Sequence, residues 1–423
     1  MFLQTASGTF ITKPQPAFSK DAASEDVAAV FFDADNDGDM DLYVGSGGYE
    51  FMTNDPALQD RLYLNDGNGN FSKKENALPA MLTSKGCATV ADIDGDGDMD
   101  IFVGGRCVPG QYPVTPESKI LLNDGKGNFA DATTSVCPAI AHIGMVTDAA
   151  FADINKDGIK DLIVVGEWMS PKIFLNQKGK LVDASATYIK FPAAGWWNKI
   201  YADDFDKDGD IDLVLGNQGL NNQFTTTEQT PMSMYYKDFD GNGSVDPFLF
   251  YFIGNTSYPA YSRDDIVQQV PMLNKKYLDY TAYADVTKEN MFTKEQLDNT
   301  GELKANTLAT LYLENTGQEF IAKQLPIEAQ YAPVYSIVTA DVNKDGNKDL
   351  ILAGNNTFTR IKFSRYDANH AMLLLGDGKG NFTYVPQWQS GLSIQGNCRS
   401  MVAMNNEIIF GMNNSKAVAY SFK

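Results

Sequence analysis

The chain has 423 residues, a net charge of −20 and 43% hydrophobic residues. Nucleic-acid binding is disfavoured, because phosphate backbones are bound by basic surfaces. A membrane-spanning helix is excluded as well, since no run of about 18 apolar residues is present.

The cysteines and the first residues bear on the cellular setting. Cys87, Cys107, Cys137 and Cys398 lack Cys-x-x-Cys spacing, which argues against a zinc site. Cys107 and Cys137 flank the outer part of one predicted repeat, and they form either a disulfide or two buried thiols. Residues 1–6 show neither the charged nor the apolar region of a signal peptide, so we expect the sequence to be the mature or ordered part of a longer protein.

One nine-residue pattern, Asp-x-Asp/Asn-x-Asp/Asn-Gly-x-x-Asp, recurs along the chain. It begins at Asp33, Asp92, Asp153, Asp204, Asp238 and Asp341. Side-chain oxygens at positions 1, 3, 5 and 9 converge if the chain turns tightly, and glycine at position 6 permits that turn. With the carbonyl of position 7 and water, they form the six- or seven-oxygen cage that Ca²⁺ prefers. Short apolar runs flank most loops, which predicts strand, calcium turn, strand.

The predicted ligands are the residues at positions 1, 3, 5, 7 and 9 of each loop, where position 7 offers its carbonyl. They are Asp33, Asp35, Asp37, Asp39 and Asp41; Asp92, Asp94, Asp96, Asp98 and Asp100; Asp153, Asn155, Asp157, Ile159 and Asp161; Asp204, Asp206, Asp208, Asp210 and Asp212; Asp238, Asp240, Asn242, Ser244 and Asp246; and Asp341, Asn343, Asp345, Asn347 and Asp349. Five or six Ca²⁺ ions at these sites would cancel at least half of the net charge.

Two other interpretations of the loops fit less well. EF-hand and dockerin loops share the first six positions, but they need a glutamate at position 12 or paired helices. Here position 12 is Val44, Val103, Val164 or Leu215, inside a predicted strand. A turn without metal is disfavoured because crowded carboxylates repel one another.

A second pattern, with Asp-Gly followed by Lys-Gly or Asn-Gly between apolar runs, occurs at residues 62–71, 120–129 and 373–382. Such sequences are typical of β-hairpins. Each repeat therefore has four antiparallel strands, and repeated four-stranded sheets indicate an all-β propeller. We expect seven blades in one domain spanning residues 1–423, or six if the region around Tyr280 is not a blade.

The predicted blades cover 25–80, 86–138, 146–190, 197–253, 279–326, 334–388, and 396–423 together with 1–12. Sharing the last blade between the chain ends would close the ring and remove exposed sheet edges. The Asp238 loop follows Asp204 too closely for a new blade, so we expect it between the third and fourth strands of the same blade. The blade at 279–326 is expected to hold little metal, and residues 255–278 to be an insertion.

The acidic loop ahead of an apolar strand that ends in glycine resembles the FG-GAP/VCBS repeat of integrin α-subunit propellers. Residues 105–106, 166–168, 195–197 and 216–219 resemble bacterial VCBS proteins of the ASPIC/UnbV kind, mostly exported or surface proteins of Bacteroidota. The resemblance implies a calcium-binding propeller that is secreted or held at the bacterial outer membrane. It would be part of a larger exported polypeptide or an outer-membrane complex, and no single activity is implied.

Strand direction places the calcium loops on one face of such a propeller and the connections between strands 2 and 3 on the other. The second face collects aromatic, amide and charged side chains, a composition typical of glycan or peptide recognition. They are Arg106, Glu167, Trp168, Trp196, Trp197, Asn217, Gln218, Asn221, Asn355, Asn356 and Arg365, with Tyr258, Tyr261, Arg263 and Asp264 from the insertion. Packing near the propeller axis is the competing interpretation, above all for the tryptophans.

No catalytic residue is predicted, because His142 and His370 are the only histidines and no nucleophile elbow, P-loop or dinucleotide motif occurs. The favoured hypothesis is a non-catalytic binding or adhesion module for a glycan or a partner protein, stiffened by calcium. The alternative is a calcium-dependent carbohydrate-active enzyme of the polysaccharide-lyase kind, in which an open calcium site acts as a Lewis acid.

Overall fold

The computed structural model describes residues 1–5, 9–404 and 406–422. The described chain is built mainly from antiparallel β-strands joined by short turns. It divides into two compact units, Met1–Val146 with Asn176–Leu181, and Thr147–Leu175 with Val182–Lys423.

Five sheets share one plan and are called repeats 1 to 5. In each, four antiparallel strands follow one another across the sheet, and an acidic loop joins the first two strands. The strands are Glu25–Phe32, Asp41–Gly47, Arg61–Asn65 and Phe71–Lys73 in repeat 1; Ser84–Ala91, Asp100–Cys107, Lys119–Asn123 and Phe129–Asp131 in repeat 2; Met145–Ala152, Asp161–Met169, Lys172–Asn176 and Leu181–Asp183 in repeat 3; Lys199–Asp203, Asp212–Gly216, Leu311–Asn315 and Phe320–Gln324 in repeat 4; and Val334–Ala340, Asp349–Gly354, Met372–Gly376 and Phe382–Val385 in repeat 5.

The second strand of each repeat is almost completely buried, which explains its continuous apolar sequence. In the first unit, Tyr43 and Leu62 of repeat 1 share a core with Ile101 and Leu121 of repeat 2. In the second unit, repeats 3 and 4 share a core that includes Trp197. Neighbouring four-stranded sheets that bury their faces against each other are consistent with a propeller-like fold.

The helices are short and lie in the connections. The α-helices are Pro16–Lys20, Thr133–Val136, Ser185–Tyr188, Arg263–Gln269, Tyr280–Tyr283, Lys288–Met291, Lys294–Leu297 and Gln387–Ser390, and the 3₁₀-helices are Pro56–Leu58, Pro138–Ile140, Pro271–Lys275, Ile327–Gln330 and Ile361–Phe363. A two-residue strand, Gly195–Trp196, adds to the second strand of repeat 3.

Repeat 4 differs from the sequence prediction. Its second strand pairs with Leu311–Asn315, and Leu213 lies opposite Leu313. The Asp238 loop is therefore not the outer hairpin of this sheet, and no blade forms over 279–326. Asp285, which was expected in a degenerate blade loop, instead follows the short helix Tyr280–Tyr283. The prediction failed because a long insertion separates the two halves of one sheet, so spacing along the chain no longer reports strand order.

The insertion covers residues 217–310 and is much longer than the predicted 255–278. It contains a four-stranded antiparallel sheet of its own, called the inserted sheet, and five of the thirteen short helices of the described chain. Its strands are Met232–Lys237, Asp246–Ile253, Thr256–Pro259 and Gly301–Ala305. The Asp238 loop joins the first two of these strands. A separate apolar core, which includes Phe248, Ile266 and Phe292, supports this sheet.

The chain ends form small sheets. Phe2–Gln4 pairs with Phe10–Thr12, and Cys398–Met404, Glu407–Met412 and Val418–Ser421 make a three-stranded terminal sheet. Among the described residues these are separate sheets, so the prediction that the two ends share one blade is not confirmed. The number of blades, the closure of a ring and the single-domain boundary remain predictions.

The pairing within repeat 4 can be tested by removing the insertion. The Thr226 hydroxyl donates to the Ala305 carbonyl over 2.6 Å, so a two- or three-residue turn can replace residues 227–304. We expect the shortened protein to keep its strand signal in circular dichroism and to unfold cooperatively, because the insertion has its own core.

The matched control replaces residues 312–323 with a short turn and thereby removes two strands of repeat 4. This control should lose the cooperative transition. If the first variant unfolded and the control stayed folded, the pairing of Asp212–Gly216 with Leu311–Asn315 would be wrong.

Candidate metal loops and ligand surface

All six acidic loops have the same backbone conformation. The position 1 carboxylate accepts the N–H of the position 6 glycine over 2.8–3.2 Å, and the position 5 oxygen accepts the N–H of position 7 over 2.7–2.9 Å. The φ angle is positive at position 4, from 60° to 83°, and at position 6, from 81° to 98°. Glycine at position 6 satisfies this left-handed geometry without steric cost. The Asp238 loop therefore belongs to the same class as the other five loops, although it lies in the insertion.

The position 9 carboxylate ties each loop to its sheet. In repeat 2, one oxygen of Asp100 accepts the N–H of Ile93 at loop position 2, and the other accepts the N–H of Asn123 in the third strand, both over 2.9 Å. Asp41, Asp212 and Asp349 make the same pair of bonds, so repeats 1, 2, 4 and 5 share this pattern. These carboxylates are almost fully buried.

Four loops bring three carboxylates together. One oxygen from each of the three residues lies within 4.8 Å of the others. The groups are Asp33, Asp35 and Asp37; Asp92, Asp94 and Asp96; Asp204, Asp206 and Asp212; and Asp238, Asp240 and Asp246. Within residues 9–404, the loops at Asp153 and Asp341 form no such acidic group, because Asn155 and Asn343 occupy position 3 and donate over 2.9 Å to the carboxylate at position 5.

The charge in these loops is poorly compensated by the protein. The Oδ1 atoms of Asp33 and Asp35 are buried without a hydrogen-bond partner. Burial, followed by the neighbouring aspartates, raises the pKa of Asp35. Burial raises the pKa of Asp100 and that of Asp212 to about 6 in each case. Clustered hard oxygens with unsatisfied acceptors fit a divalent cation such as Ca²⁺.

Position 7 side chains face a neighbouring repeat. Asp98 accepts from the Asn36 amide over 2.6 Å, and Asn347 accepts from the Lys207 ammonium over 2.6 Å. Asp210 forms an ion pair with Lys156. These side chains join the loops of adjacent repeats, and the role of the position 7 carbonyl as an ion ligand stays a prediction.

Most side-chain amides of the predicted ligand surface donate hydrogen bonds to backbone carbonyls. Asn217 is buried and donates to the carbonyls of Thr307 and Ala309, both over 3.3 Å. Asn355 is buried and donates to the Asn369 carbonyl over 2.6 Å. The Asn221 amide donates to the Tyr331 carbonyl, and the Asn356 side-chain oxygen accepts the N–H of Phe358 over 3.2 Å. Gln218 donates its backbone N–H to the Asn217 side chain.

Arg263 and Trp197 likewise have packing roles. The Arg263 guanidinium donates to Tyr277, Asp264, Asn274 and Leu278 at 2.6–2.9 Å, so its capacity is used within the insertion. Trp197 is fully buried, and its indole donates to the Ala193 carbonyl.

Three further predicted residues lie in strands. Tyr258 pairs with Tyr251 in the inserted sheet, Glu167 lies opposite Trp196, and Arg106 is half-buried in repeat 2.

Six aromatic side chains form a continuous group that we call the aromatic cluster. They are Trp168, Trp196, Phe224, Tyr251, Tyr261 and Phe363. Trp196 lies 5.1 Å from Trp168 and 5.8 Å from Phe224, measured between ring centroids. Phe224 lies 5.3 Å from Tyr251 and 5.7 Å from Phe363, which in turn lies 6.1 Å from Tyr261. Trp196, Tyr251, Tyr261 and Phe363 remain half-exposed.

Sequence reasoning identified Trp168, Trp196 and Tyr261 but missed Phe224, Tyr251 and Phe363. The missed residues lie in the insertion and in a connection of repeat 5, outside any motif. The aromatic run at 248–252 was the only local signal near them.

The raised pKa values give a pH-dependent prediction for the metal loops. Without metal, Asp100 and Asp212 bind protons more tightly in the folded than in the unfolded chain, so acidification from about pH 7.5 to about pH 5.5 should stabilise the metal-free fold through these groups. Protons compete with the cation, so the increase in Tm caused by Ca²⁺ should shrink over the same interval.

The measurement is thermal unfolding in Ca²⁺ and in EDTA at both pH values. Saturation of one site at 100 times its Kd adds about 2.7 kcal/mol to the free energy of unfolding, which is readily detected. Asp100→Asn is the matched variant and should reduce the pH dependence. A Tm that EDTA leaves unchanged would contradict the claim that a bound metal ion stabilises the fold.

Two parts of the chain that contain acidic loops match a known protein family. Residues 50–103 and 153–215 match the model of the FG-GAP-like repeat family. No curated protein matches the chain. No helix among the described residues combines the length and apolar character needed to cross a membrane.

Two solved structures show distant similarity. One is a lectin of Agrocybe aegerita, described as specifically recognising non-reducing terminal N-acetylglucosamine, with 16% identity, coverage of 84% of this chain and 78% of that chain, and a TM-score of 0.34. The other is the V. cholerae biofilm matrix protein Bap1, with 11% identity, coverage of 91% and 74%, and a TM-score of 0.35. Neither TM-score reaches 0.5, so these two likenesses do not establish a common fold. The acidic loops, the repeated four-stranded sheets and the family match at residues 50–103 and 153–215 together support an FG-GAP/VCBS-type repeat protein.

Proposed function

We propose that this protein is a calcium-stabilised extracellular module that binds a glycan or a partner protein without catalysing a reaction. The observation that carries the proposal is the set of six acidic loops with one conformation, four of which bring three carboxylates together. In the first loop, the buried Oδ1 atoms of Asp33 and Asp35 also lack a hydrogen-bond partner. The FG-GAP-like repeats support the same assignment, because repeats of this type are typically calcium-binding.

Calcium suits the loops better than smaller or softer ions. Carboxylate, amide and carbonyl oxygens are hard ligands, and a flexible cage of six to eight oxygens is the preference of Ca²⁺. Extracellular modules bind Ca²⁺ with Kd values of about 10⁻⁴–10⁻³ M, which matches the calcium concentration outside cells. We assign the four loops with three converging carboxylates as the tighter sites and the two loops with asparagine at position 3 as the weaker ones.

The finer architecture is also part of the proposal. We take the five repeats and the terminal sheet as six blades of one propeller, held at a bacterial surface or secreted. The common strand plan of the repeats supports this count. The three described strands within 279–326 belong to the inserted sheet and to repeat 4 and do not make a separate blade, which supports six blades rather than seven.

The aromatic cluster is our candidate recognition surface. It joins residues from four chain segments and leaves four rings partly exposed, which suits the apolar faces of sugars or a peptide. The Trp196 indole N–H has no hydrogen-bond partner among the described residues. Because enclosed indole N–H groups are normally bonded, this donor supports a role in holding a ligand acceptor or a bound water.

Screening the intact protein on a glycan array with Ca²⁺ will test recognition at the cluster. Trp196→Phe keeps the ring and removes the N–H donor, so affinity for a ligand bound there should fall about two- to tenfold. Trp196→Ala should remove more of the binding. Trp388→Ala is the control, since Trp388 is 81% exposed and lies outside the cluster. Unchanged binding by both Trp196 variants would exclude this site.

A second experiment separates binding from catalysis. We expect no cleavage of acidic or neutral polysaccharides by the purified protein, whether Ca²⁺ or EDTA is present. Product formation can be followed by the absorbance of unsaturated sugars and by reducing-end assays. Calcium-dependent turnover would contradict the non-catalytic assignment and favour the lyase-like alternative.

A further inference from the structure

One exposed connection in repeat 5 has a charge opposite to that of the chain as a whole. Residues 357–367, which we call the basic loop, join the second strand Asp349–Gly354 to the third strand Met372–Gly376. They contain Arg360, Lys362 and Arg365 but a single acidic residue, whereas the whole chain carries −20. A cationic segment on an acidic protein indicates an anionic partner.

The basic loop also exposes large apolar side chains. Phe358 is 70% exposed and Ile361 is 98% exposed. They lie within three residues of each other; Ile361 stands between Arg360 and Lys362, and Phe358 lies two residues before Arg360. Isolated apolar residues at a surface need no explanation, but two of them together with three cations are typical of a docking segment.

The fold holds the basic loop in place. Its base is closed by backbone hydrogen bonds between Asn356 and Tyr366 of 2.7 and 2.9 Å. The Asn397 amide donates to the Thr357 hydroxyl over 2.8 Å. Phe363 turns inward and packs against Phe224 and Tyr261 of the aromatic cluster. The exposure of Phe358 and Ile361 is therefore imposed by an anchored loop, and both side chains are presented to solvent.

The cations of the loop are only partly neutralised. Arg360 lies over the Tyr261 ring and 3.6 Å from Asp265, and Arg365 lies 3.5 Å from Asp367. Both arginines remain more than 65% exposed. Burial lowers the pKa of Lys362, and the charge of the same Asp265 opposes that shift. Three cations therefore face two carboxylates, which leaves a positive excess at the tip.

We propose that the basic loop docks the protein on an anionic lipid surface. Ile361 and Phe358 would enter the boundary between head groups and acyl chains, while Arg360, Lys362 and Arg365 contact lipid phosphates. A lipid surface fits better than an acidic polysaccharide because the outermost side chain, Ile361, is aliphatic and offers no flat face for a sugar ring. The side chains proposed to contact lipid are not members of the aromatic cluster, although Arg360 lies over the Tyr261 ring.

The test is flotation of the intact protein with lipid vesicles, in the presence of Ca²⁺. Vesicles of phosphatidylcholine alone are compared with vesicles containing about 30% phosphatidylglycerol. We expect at least tenfold stronger binding to the anionic vesicles. The double variant F358S/I361S and the triple variant R360Q/K362Q/R365Q should each lose about tenfold in affinity, because apolar insertion and charge act together.

Controls separate docking from unfolding and from calcium bridging. Trp388→Ser removes another exposed apolar side chain outside the loop and should bind like the wild type. All variants should keep the wild-type Tm in Ca²⁺. Bridging of acidic residues to lipid by Ca²⁺ would persist in both loop variants, and that result would overturn the proposal. Failure of the wild type to bind anionic vesicles would overturn it too, as would loop-dependent binding to polygalacturonate without binding to vesicles.

Discussion

The buried carboxylate at the ninth loop position is the interaction on which the repeats depend. Asp100 accepts the N–H of Ile93 in its own loop and the N–H of Asn123 in the third strand. The Asn123 amide then donates to the Ala34 carbonyl of repeat 1 over 2.9 Å. One carboxylate thus links a loop, its sheet and the neighbouring repeat. Because burial raises the pKa of Asp100 to about 6, a nearby cation would favour the charged form that makes these bonds strongest.

The loops could be predicted because their determinants are local. Glycine at position 6 and oxygen-bearing side chains at fixed spacing specify one turn, and all six loops adopt it. The pairing in repeat 4 depends instead on a contact across the insertion of residues 217–310. Spacing along the chain assigned Leu311–Asn315 to the separate blade predicted at 279–326. The correct pairing follows from a hydrogen-bonding requirement that spacing does not contain. The buried Asp212 carboxylate needs an N–H donor from a third strand, and Asn315 supplies it over 2.8 Å.

The ligand surface was harder to predict, because composition does not distinguish a binding amide from a structural one. Asn217 and Asn355 follow the ends of second strands, where the backbone turns away from the sheet and leaves carbonyls to satisfy. Their side chains fulfil that need. The aromatic cluster, by contrast, arises from contacts between distant segments of the chain. Trp196 and Phe363 are far apart in the chain, and they contact Phe224 only because the insertion brings it between them.

The Asp238 loop connects a candidate metal site to the candidate recognition surface. Its position 2 residue, Phe239, stacks on Phe292 with centroids 4.5 Å apart in the core of the insertion. The strand that follows, Asp246–Ile253, carries Tyr251 to the aromatic cluster. Asp246 accepts the N–H of Phe239, but among the described residues it has no bond from a third strand like that of Asp100. The Asp238 loop therefore has fewer protein contacts to hold its carboxylates than the loops of the repeats. A cation there would contribute proportionally more, and it would order the strand on which Tyr251 lies.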